Sequence, residues 1–461
     1  MDQEGPLERL FESMNEYSER LALEAFHRTA TRVPAYRVLL QEAGITPERI
    51  TSFADFAQVP VLGKGNTFQR FGVAELCLDG ELGHLGTVLT SSGHSGIFAF
   101  GLTEAAATLR TSAWIDDALD ALFAVRTHPT LLINCLPMGV KVPTQVCTLA
   151  ETSVRPDMVN GLVRAFGSHY HQLVLIGETA FIKHTLELGR RSGIDWPSLR
   201  VHVIVGEEPL AENARKYLEK ILGIDPLDPR DGVVFSSMGV AEVGLNLFAE
   251  VPPLAPLITL RRALHEDAEL REQVIGRTNL VPSIFTYDPT RILVEFDANE
   301  RLILTTLDLT LRLPLIRYAT GDRGALLRLR PALRTRLEAA GVPWQALESL
   351  PMVMIQGRGE HAVSGEAPVY PEAVKEGIYH DPELAEMITA NFRLVSGPDH
   401  VLIRLQLSPG IRPDKGISHR FEAAIARYVP HPLEVSCEAY EDFRSGMTLD
   451  YERKFQYLGH D

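Results

Sequence analysis

The sequence has little of what marks secreted, membrane-spanning or metal-clustering proteins. Only 4 of its 461 residues are cysteine, and none forms a CxxC pair, so we expect buried thiols in a reducing compartment rather than disulfides. No run of about 18 apolar residues appears. Residues 1–21 are acidic and amphipathic and lack the apolar core of a signal peptide. We therefore expect a cytoplasmic protein with no membrane partner.

Positive charge is also scarce. The 45 Lys and Arg residues face 60 Asp and Glu residues, a formal net charge of −15. With no long Lys/Arg block, this balance argues against a nucleic acid as partner. A nucleotide ligand stays compatible, because local amides and one metal ion can hold phosphates. The 45% of hydrophobic residues is typical of a globular protein, and the length suits two or three domains.

Short apolar runs alternate with amphipathic stretches through the middle of the chain. Strands are predicted at 131–138, 171–177 and 201–206, and helices at 6–45, 159–166, 180–192 and 210–222. This alternation predicts an α/β fold with mostly parallel sheets covered by helices. Residues 292–306 predict a β-hairpin instead, and so a β-rich subdomain.

A domain boundary is predicted near the glycines at 357 and 359. It separates a large N-terminal domain, 1–356, from a small α+β domain, 357–461. Within the small domain the pattern predicts helix 371–379, strand 400–407, helix 417–428 and strand 433–439.

Two segments could contact a ligand. The loop TSSGHSG (90–96) has glycines and hydroxyls that could turn donors towards one anion. Taken alone it is more often a surface turn, and no GKS or GKT makes it a Walker loop. The segment GEEPL (206–210) joins a strand end to a helix, where a ligand contact and a plain helix start are equally compatible.

Two further segments place a carboxylate beside glycines. Glu242, in SSMGVAE (236–242), follows a strand of the kind at whose end ligands bind in open α/β sheets, and one carboxylate with nucleotide phosphates can hold Mg²⁺. Taken alone, a solvated loop residue is the commoner case. Asp322, in RYATGD (317–322), could accept hydrogen bonds from vicinal ribose hydroxyls, with an Asp-containing turn as the alternative.

In this order the segments resemble the adenylate-forming superfamily of acyl-CoA ligases, and within it the phenylacetate–CoA ligase branch with its acyl-protein-synthetase-like relatives. The likeness covers almost the whole chain, from 33–66 to GRGEH at 357–361. It implies ATP-dependent activation of a small carboxylic acid to an acyl-adenylate, with Mg²⁺ as cofactor and pyrophosphate released. Transfer to a thiol, of CoA or a carrier protein, would follow. An amine acceptor and a degenerate homologue without turnover are the alternatives, and a homodimer is compatible with the resemblance.

The resemblance also implies residue roles for the nucleotide. The phosphate loop would comprise Ser91, Ser92, Gly93, Ser95 and Gly96. The adenine would lie against Gly206, Glu207, Glu208, Ser236, Ser237 and Met238. Asp322 would bind the ribose, and Arg358 the ribose or α-phosphate side.

Other implied roles concern the reaction itself. Glu242 would bind Mg²⁺, and Lys454 is the candidate for the lysine that contacts the α-phosphate and the carboxylate. Glu360 would be the hinge of a mobile small domain. His94 replaces the usual Thr and is a candidate phosphate donor or general base, with a plain loop histidine as the alternative. The acyl pocket would include Leu136, Met138 and Gly239, and Lys64 is expected to be a solvated residue.

Overall fold

A computed structural model describes residues 6–91, 97–137, 140–206, 208–226, 228, 231–250, 256–278, 280–358, 369–396, 400–443 and 457–458, with the backbone alone for 6–13. The chain divides into two compact units. The first comprises Met1–Trp114, Met238–Glu250 and Ile284–Gln356, and the second comprises Ile115–Ser237, Val251–Ser283 and Gly357–Asp461. In the described part of the chain, no helix has both the length and the apolarity to cross a membrane.

Helices and strands alternate along the described chain. The helices are α1 (Pro6–Arg32), α2 (Pro34–Glu42), α3 (Phe53–Phe56), α4 (Ala105–Phe123), α5 (Pro156–Phe166), α6 (Thr179–Arg191), α7 (Glu212–Leu222), α8 (Pro256–Glu266), α9 (Ala268–Ile275), α10 (Arg334–Ala339), α11 (Trp344–Leu347), α12 (Pro371–Ile378), α13 (Pro382–Glu386) and α14 (Lys415–Ile425). The strands are β1 (Leu85–Thr90), β2 (Phe100–Glu104), β3 (Thr130–Asn134), β4 (Thr148–Glu151), β5 (Gln172–Gly177), β6 (Val201–Val205), β7 (Val234–Val240), β8 (Gly244–Ala249), β9 (Ser283–Tyr287), β10 (Ile292–Phe296), β11 (Arg301–Thr306), β12 (Tyr318–Leu327), β13 (Met352–Arg358), β14 (Ile388–Ser396), β15 (Val401–Leu407) and β16 (Leu433–Glu438).

The second unit contains the parallel sheet that the sequence predicts. Its strands lie in the order β4-β3-β5-β6-β7, each paired in parallel with its neighbour. Every residue of β3, β5 and β6 is buried, which explains why these strands read as continuous apolar runs rather than alternating ones. The predicted α/β fold with a mostly parallel sheet is therefore confirmed, including helices α5, α6 and α7.

The C-terminal part of the second unit is a small α+β arrangement. Strand β14 pairs antiparallel with β15, and β15 pairs parallel with β16. Helices α12 and α14 and strands β15 and β16 match the four predicted elements, whereas β14 was not predicted. Val374 and Phe392 of this part belong to the same apolar core as Leu218 and Trp196 of the parallel-sheet part. The domain boundary after Gln356, and the mobility of residues 357–461, stay predictions.

The first unit is the β-rich part. Its strands lie in the order β10-β11-β12-β13-β9-β8, and the pairs β10–β11, β11–β12 and β8–β9 are antiparallel. The hairpin predicted at 292–306 is β10–β11. Helices α1 to α3 bury Phe26 and Phe56 in one core with Tyr318. A separate antiparallel pair, β1–β2, precedes α4.

Candidate active site

The strands of the parallel sheet end level with one another and bring several predicted residues together. Val205 at the end of β6 pairs with Ser236 of β7. A Cβ atom added to Gly206 would lie 3.7 Å from Cδ2 of Leu136 and 4.0 Å from the carbonyl oxygen of Ser237. Three of the predicted adenine residues and one predicted pocket residue thus meet at the carboxyl edge of the sheet, where open α/β folds bind ligands.

Asn134 shapes this edge, although it belongs to none of the predicted motifs. It is 3% exposed and ends β3. Its Nδ2 donates to the carbonyl oxygen of Val140 (2.7 Å), and its Oδ1 accepts from the backbone N–H of Leu136 (3.1 Å). A polar residue closing the apolar run of β3 was the available sequence signal.

Glu208, expected beside the adenine, has partners from the C-terminal part of the second unit. Lys375 Nζ lies 2.5 Å from its Oε2, and the Tyr457 hydroxyl donates to the same oxygen at 2.9 Å. Burial, with the carboxylates of Glu208 and Glu178, raises the pKa of Tyr457 well above its usual value, so the hydroxyl keeps the proton that it donates. No sequence signal links residues 167 positions apart.

Helix α7, which comes after this loop, begins on a buried charge cluster. Glu212 is fully buried and is contacted by Arg215 at 2.9 Å, Arg262 at 3.2 Å and Arg261 at 3.7 Å. Burial alone would raise the pKa of Glu212, but the three guanidinium groups outweigh it and lower the pKa to about 2. The carboxylate is therefore charged under all ordinary conditions.

In the first unit, strand β2, which follows the Ser/Gly loop, lies against the turn that carries Glu242. Ser91 closes strands β1 and β2, because its N–H donates to the Ala99 carbonyl and its Oγ accepts from the Ala99 N–H, both at 2.9 Å. A Cβ atom on Gly101 would lie 2.0 Å from the Ala241 carbonyl oxygen. Only a glycine allows β2 to approach this turn so closely.

Glu242 itself is a buried carboxylate with two partners. The Val243 N–H bonds to the Val240 carbonyl at 2.9 Å and closes the turn between β7 and β8. Glu242 is 6% exposed. Its Oε1 accepts a hydrogen bond from the Tyr318 hydroxyl at 2.7 Å and lies 4.0 Å from Lys64 Nζ. The carboxylate is thus held in one orientation, with a cation beside it to compensate its buried charge.

The expectation that Lys64 is solvated is wrong. Its side chain is 21% exposed and faces Glu242. Leu62 places it there, because the Leu62 N–H donates to the Arg317 carbonyl (2.8 Å) and the Ala319 N–H donates to the Leu62 carbonyl (2.9 Å). The chain before Lys64 therefore runs parallel to the start of β12.

Asp322 lies in an irregular part of β12. Arg301 pairs with Arg323 and Ile303 with Ala319, so β12 carries extra residues between these pairs. Gly321, within this bulge, has φ of +91°, a conformation that only glycine adopts without strain. A bulge changes the direction in which the side chains of a strand point. Asp322 is 6% exposed. Its N–H donates to Thr320 Oγ1 at 3.2 Å.

Several solved structures resemble this chain in fold. No family model and no curated protein matches the sequence. The structure of 2-hydroxyisobutyryl-CoA ligase in the postadenylation state with 2-HIB-AMP matches with a TM-score of 0.67 at 15% identity, covering 96% of this chain and 89% of that chain. The same ligase in the thioesterification state with 2-HIB-AMP and CoA matches with a TM-score of 0.56 at 14% identity, covering 97% and 90%. The chain has the fold of the adenylate-forming CoA ligases.

Within this ligase fold, some predicted positions lie outside the described residues. They are Ser92, Gly93, His94, Ser95, Gly96, Met138, Glu207, Glu360 and Lys454. Arg358 is the last residue of β13, and Met238 and Gly239 lie near the end of β7. The roles of all these residues stay predictions.

The side chains of this ligase fold offer a limited donor set for Mg²⁺. Among the described residues, no group of three or more His, Cys, Asp or Glu side chains could hold a metal ion alone. Glu242 offers a buried, oriented carboxylate whose contacts with Tyr318 and Lys64 are both made by Oε1. One such oxygen ligand, with the rest from phosphates and water, is a set that Mg²⁺ accepts, so these residues fit the metal.

Proposed function

We propose that the chain is an ATP-dependent ligase that converts a small carboxylic acid to an acyl-adenylate, releases pyrophosphate, and then transfers the acyl group to a thiol. The observation that carries the proposal is the buried Glu242, bound by Tyr318 of the RYATGD segment and faced by Lys64. The CoA ligase fold supports it, as do the 2-HIB-AMP and CoA bound in structures of the similar ligase.

In the second unit, the adenine would lie at the carboxyl edge of the parallel sheet. Gly206 borders Leu136 and Ser237, where a side chain would make only ordinary contacts, and a flat adenine ring fits such a glycine-bordered surface. Asp322 is buried and lies in a bulge of β12. It would accept hydrogen bonds from the ribose hydroxyls. The loop that starts at Ser91 would hold the phosphates through backbone amides.

Charge neutralisation is the main chemical requirement, because the acid's carboxylate and the α-phosphate are both anions. A bound Mg²⁺ would supply Lewis-acid neutralisation of the phosphates. Glu242 would hold it through one carboxylate oxygen while Tyr318 fixes the other. Lys64, at the same carboxylate, would place its ammonium group on a phosphate oxygen, and Lys454 would serve the α-phosphate and the acid.

The second half-reaction would use residues 357–461 as the small domain, with Glu360 as hinge and Arg358 on the ribose side. A thiol acceptor is the first choice because CoA is present in structures of the similar ligase. Leu136 and Gly239, with Met138, would border an apolar acyl pocket. Cytoplasmic location and a homodimer stay predictions.

The first test is pyrophosphate release with ATP, Mg²⁺ and a panel of carboxylic acids. We expect acid-dependent release that Asp322→Ala abolishes or lowers strongly. Asp308→Ala is the matched control, because Asp308 is a turn carboxylate of the same unit whose Oδ1 bonds Thr310. Release without any acid dependence, or an Asp322→Ala enzyme indistinguishable from the Asp308→Ala enzyme, would refute the proposal.

The acceptor is tested in the same assay. Addition of CoA should raise turnover and yield an acyl-CoA, detected by mass spectrometry. Turnover that CoA leaves unchanged, and that an amine raises with formation of an amide, would replace the thiol by an amine. Pyrophosphate release that no acceptor accelerates would leave adenylate formation as the whole reaction.

A further inference from the structure

The loop between β6 and α7 carries three of the predicted adenine residues, and the helix that follows it lacks a side-chain cap of its own. Helix α7 is preceded by Ala211, which has no side-chain oxygen to accept from the first helical amides. The first amides of α7 therefore need a partner from elsewhere in the chain. Any part of this loop that a nucleotide had to order on binding would cost affinity.

Helix α12 supplies the missing cap. The Glu376 carboxylate, 1% exposed, accepts from the Glu212 N–H at 2.7 Å and from the Asn213 N–H at 2.9 Å. Asn213 Nδ2 donates in return to the Glu376 carbonyl oxygen at 2.9 Å. A carboxylate at a helix N-terminus satisfies otherwise unpaired amides and interacts favourably with the helix dipole.

The preceding residue of α12 holds the other end of the loop. The side chains of Lys375 and Glu208 are 6% and 12% exposed, and their charged atoms are 2.5 Å apart. Lys375 Nζ also lies 4.6 Å from the centre of the Tyr457 ring, whose hydroxyl bonds Glu208. Charged hydrogen bonds of this kind are strong when they are shielded from water.

The apolar face of helix α12 is buried. Its Val374 and Ile378 are fully buried in the core of the second unit. Two consecutive side chains of α12 therefore connect it to Glu208 before α7 and to the first amides of α7. The loop position is set by a segment more than 160 residues later in the chain.

We propose that Lys375 and Glu376 are positioning residues for the nucleotide: they hold the loop around Glu208 in the conformation that receives the adenine. The inference rests on the proposed function, since it needs a nucleotide at this loop. It also makes nucleotide affinity depend on these two contacts from the C-terminal part of the chain. By linkage, a bound nucleotide strengthens these contacts equally.

The test measures ATP binding by calorimetry, in the presence of Mg²⁺, to the full-length chain and its variants. Lys375→Met and Glu376→Gln should each weaken ATP binding about tenfold, equal to ~1.4 kcal/mol. In turnover, KM for ATP should rise with little change in kcat. The double variant Glu208→Gln/Lys375→Met should lose less than the sum of its single changes, because the two side chains act as one pair.

Lys183 provides a matched control. It is a lysine of the same unit, 1% exposed, whose Nζ donates to the Ile388 carbonyl at 2.8 Å and so also joins the parallel-sheet part to the C-terminal part. Its ion pair is with Glu187, at 2.7 Å on the same helix, so neither contact involves the loop. Lys183→Met should lower the melting temperature while leaving the Kd for ATP within about twofold of wild type.

The outcomes separate the two proposals. If wild type does not bind ATP, the proposed function fails and this inference fails with it. If wild type binds ATP and the Lys375 and Glu376 variants bind it as well as the Lys183 variant does, only the positioning role is refuted. Should the charged variants not fold, Tyr457→Phe removes one hydroxyl from the same Glu208 oxygen. A several-fold weaker Kd supports the role, and an unchanged Kd refutes it.

Discussion

Replacing Tyr318 by phenylalanine removes a single atom from the candidate active site. The hydroxyl that donates to Glu242 Oε1 at 2.7 Å is lost. The ring, which packs edge-on against Phe68 at 6.4 Å between centroids, stays. Lys64 also stays at its 4.0 Å distance. The change therefore tests the orientation of one carboxylate with little disturbance of packing.

The size of the effect depends on burial. Tyr318 is 0% and Glu242 is 6% exposed, so water does not readily replace the lost donor. A hydrogen bond to a charged group contributes about 1.5–3 kcal/mol. If that orientation is needed when pyrophosphate leaves, the rate of adenylation falls roughly 10- to 100-fold. Because a misdirected Glu242 binds Mg²⁺ less well, more Mg²⁺ should be required for half-maximal rate.

The assay is pyrophosphate release as a function of Mg²⁺ concentration. Tyr287→Phe, the same chemical change at a half-buried tyrosine of the same unit, is the control and should keep both the rate and the Mg²⁺ dependence. A Tyr318→Phe enzyme with wild-type rate and wild-type Mg²⁺ dependence would show that the Tyr318–Glu242 bond has no part in catalysis. The contact on which the proposed function rests would then have no catalytic role.

Three further predictions concern charge, packing and pH. Lys64→Met should raise KM for ATP about tenfold or more in the pyrophosphate assay, because a phosphate contact is lost; an unchanged KM would restrict Lys64 to balancing Glu242. Gly324→Ala should lower the melting temperature, since its Cβ would lie 1.9 Å from the Met354 carbonyl oxygen and such overpacking costs about 1–3 kcal/mol. Gly161→Ala, a helical site with nothing within 4 Å, should be neutral or stabilising, and equal effects at the two glycines would contradict the argument. The pKa of Glu212 is about 2 in the folded protein against an ordinary value of 4.5, so its contribution of about 3 kcal/mol is complete above pH 4.5 and is lost as the pH falls towards 2. The free energy of unfolding of Glu212→Gln, measured with denaturant, should depend less on pH over that window than that of wild type. Equal pH dependence of the unfolding free energy in variant and wild type would contradict the assignment.

The sequence was informative where structure depends on near neighbours. Helices α5, α6 and α7 and strands β3, β5 and β6 could be predicted from periodicity and continuous apolar runs, because each pattern reports which faces of a short segment are buried. The β10–β11 hairpin could be predicted in the same way from its turn residues. Strand β14 was missed: its Ala390 has φ of +77°, and the irregular pairing around it breaks the strand pattern.

The candidate site was only partly predictable for the same reason. Motif order selected Glu242 and Asp322, and register explains why Gly206, Ser236 and Ser237 share one edge. Nothing local marks Lys64 as a partner of Glu242.

By itself, the sequence thus determined the class of fold, the order of the motifs and the candidate carboxylates, since each of these depends on residues that are adjacent in the chain. The tertiary structure alone decided which groups face those carboxylates. Tyr318 reaches Glu242 across 76 positions, and Lys375 reaches Glu208 across 167. Such contacts depend on how buried strands and helices are placed in space, and the energy that fixes them comes from packing and from the cost of leaving buried charges unpaired.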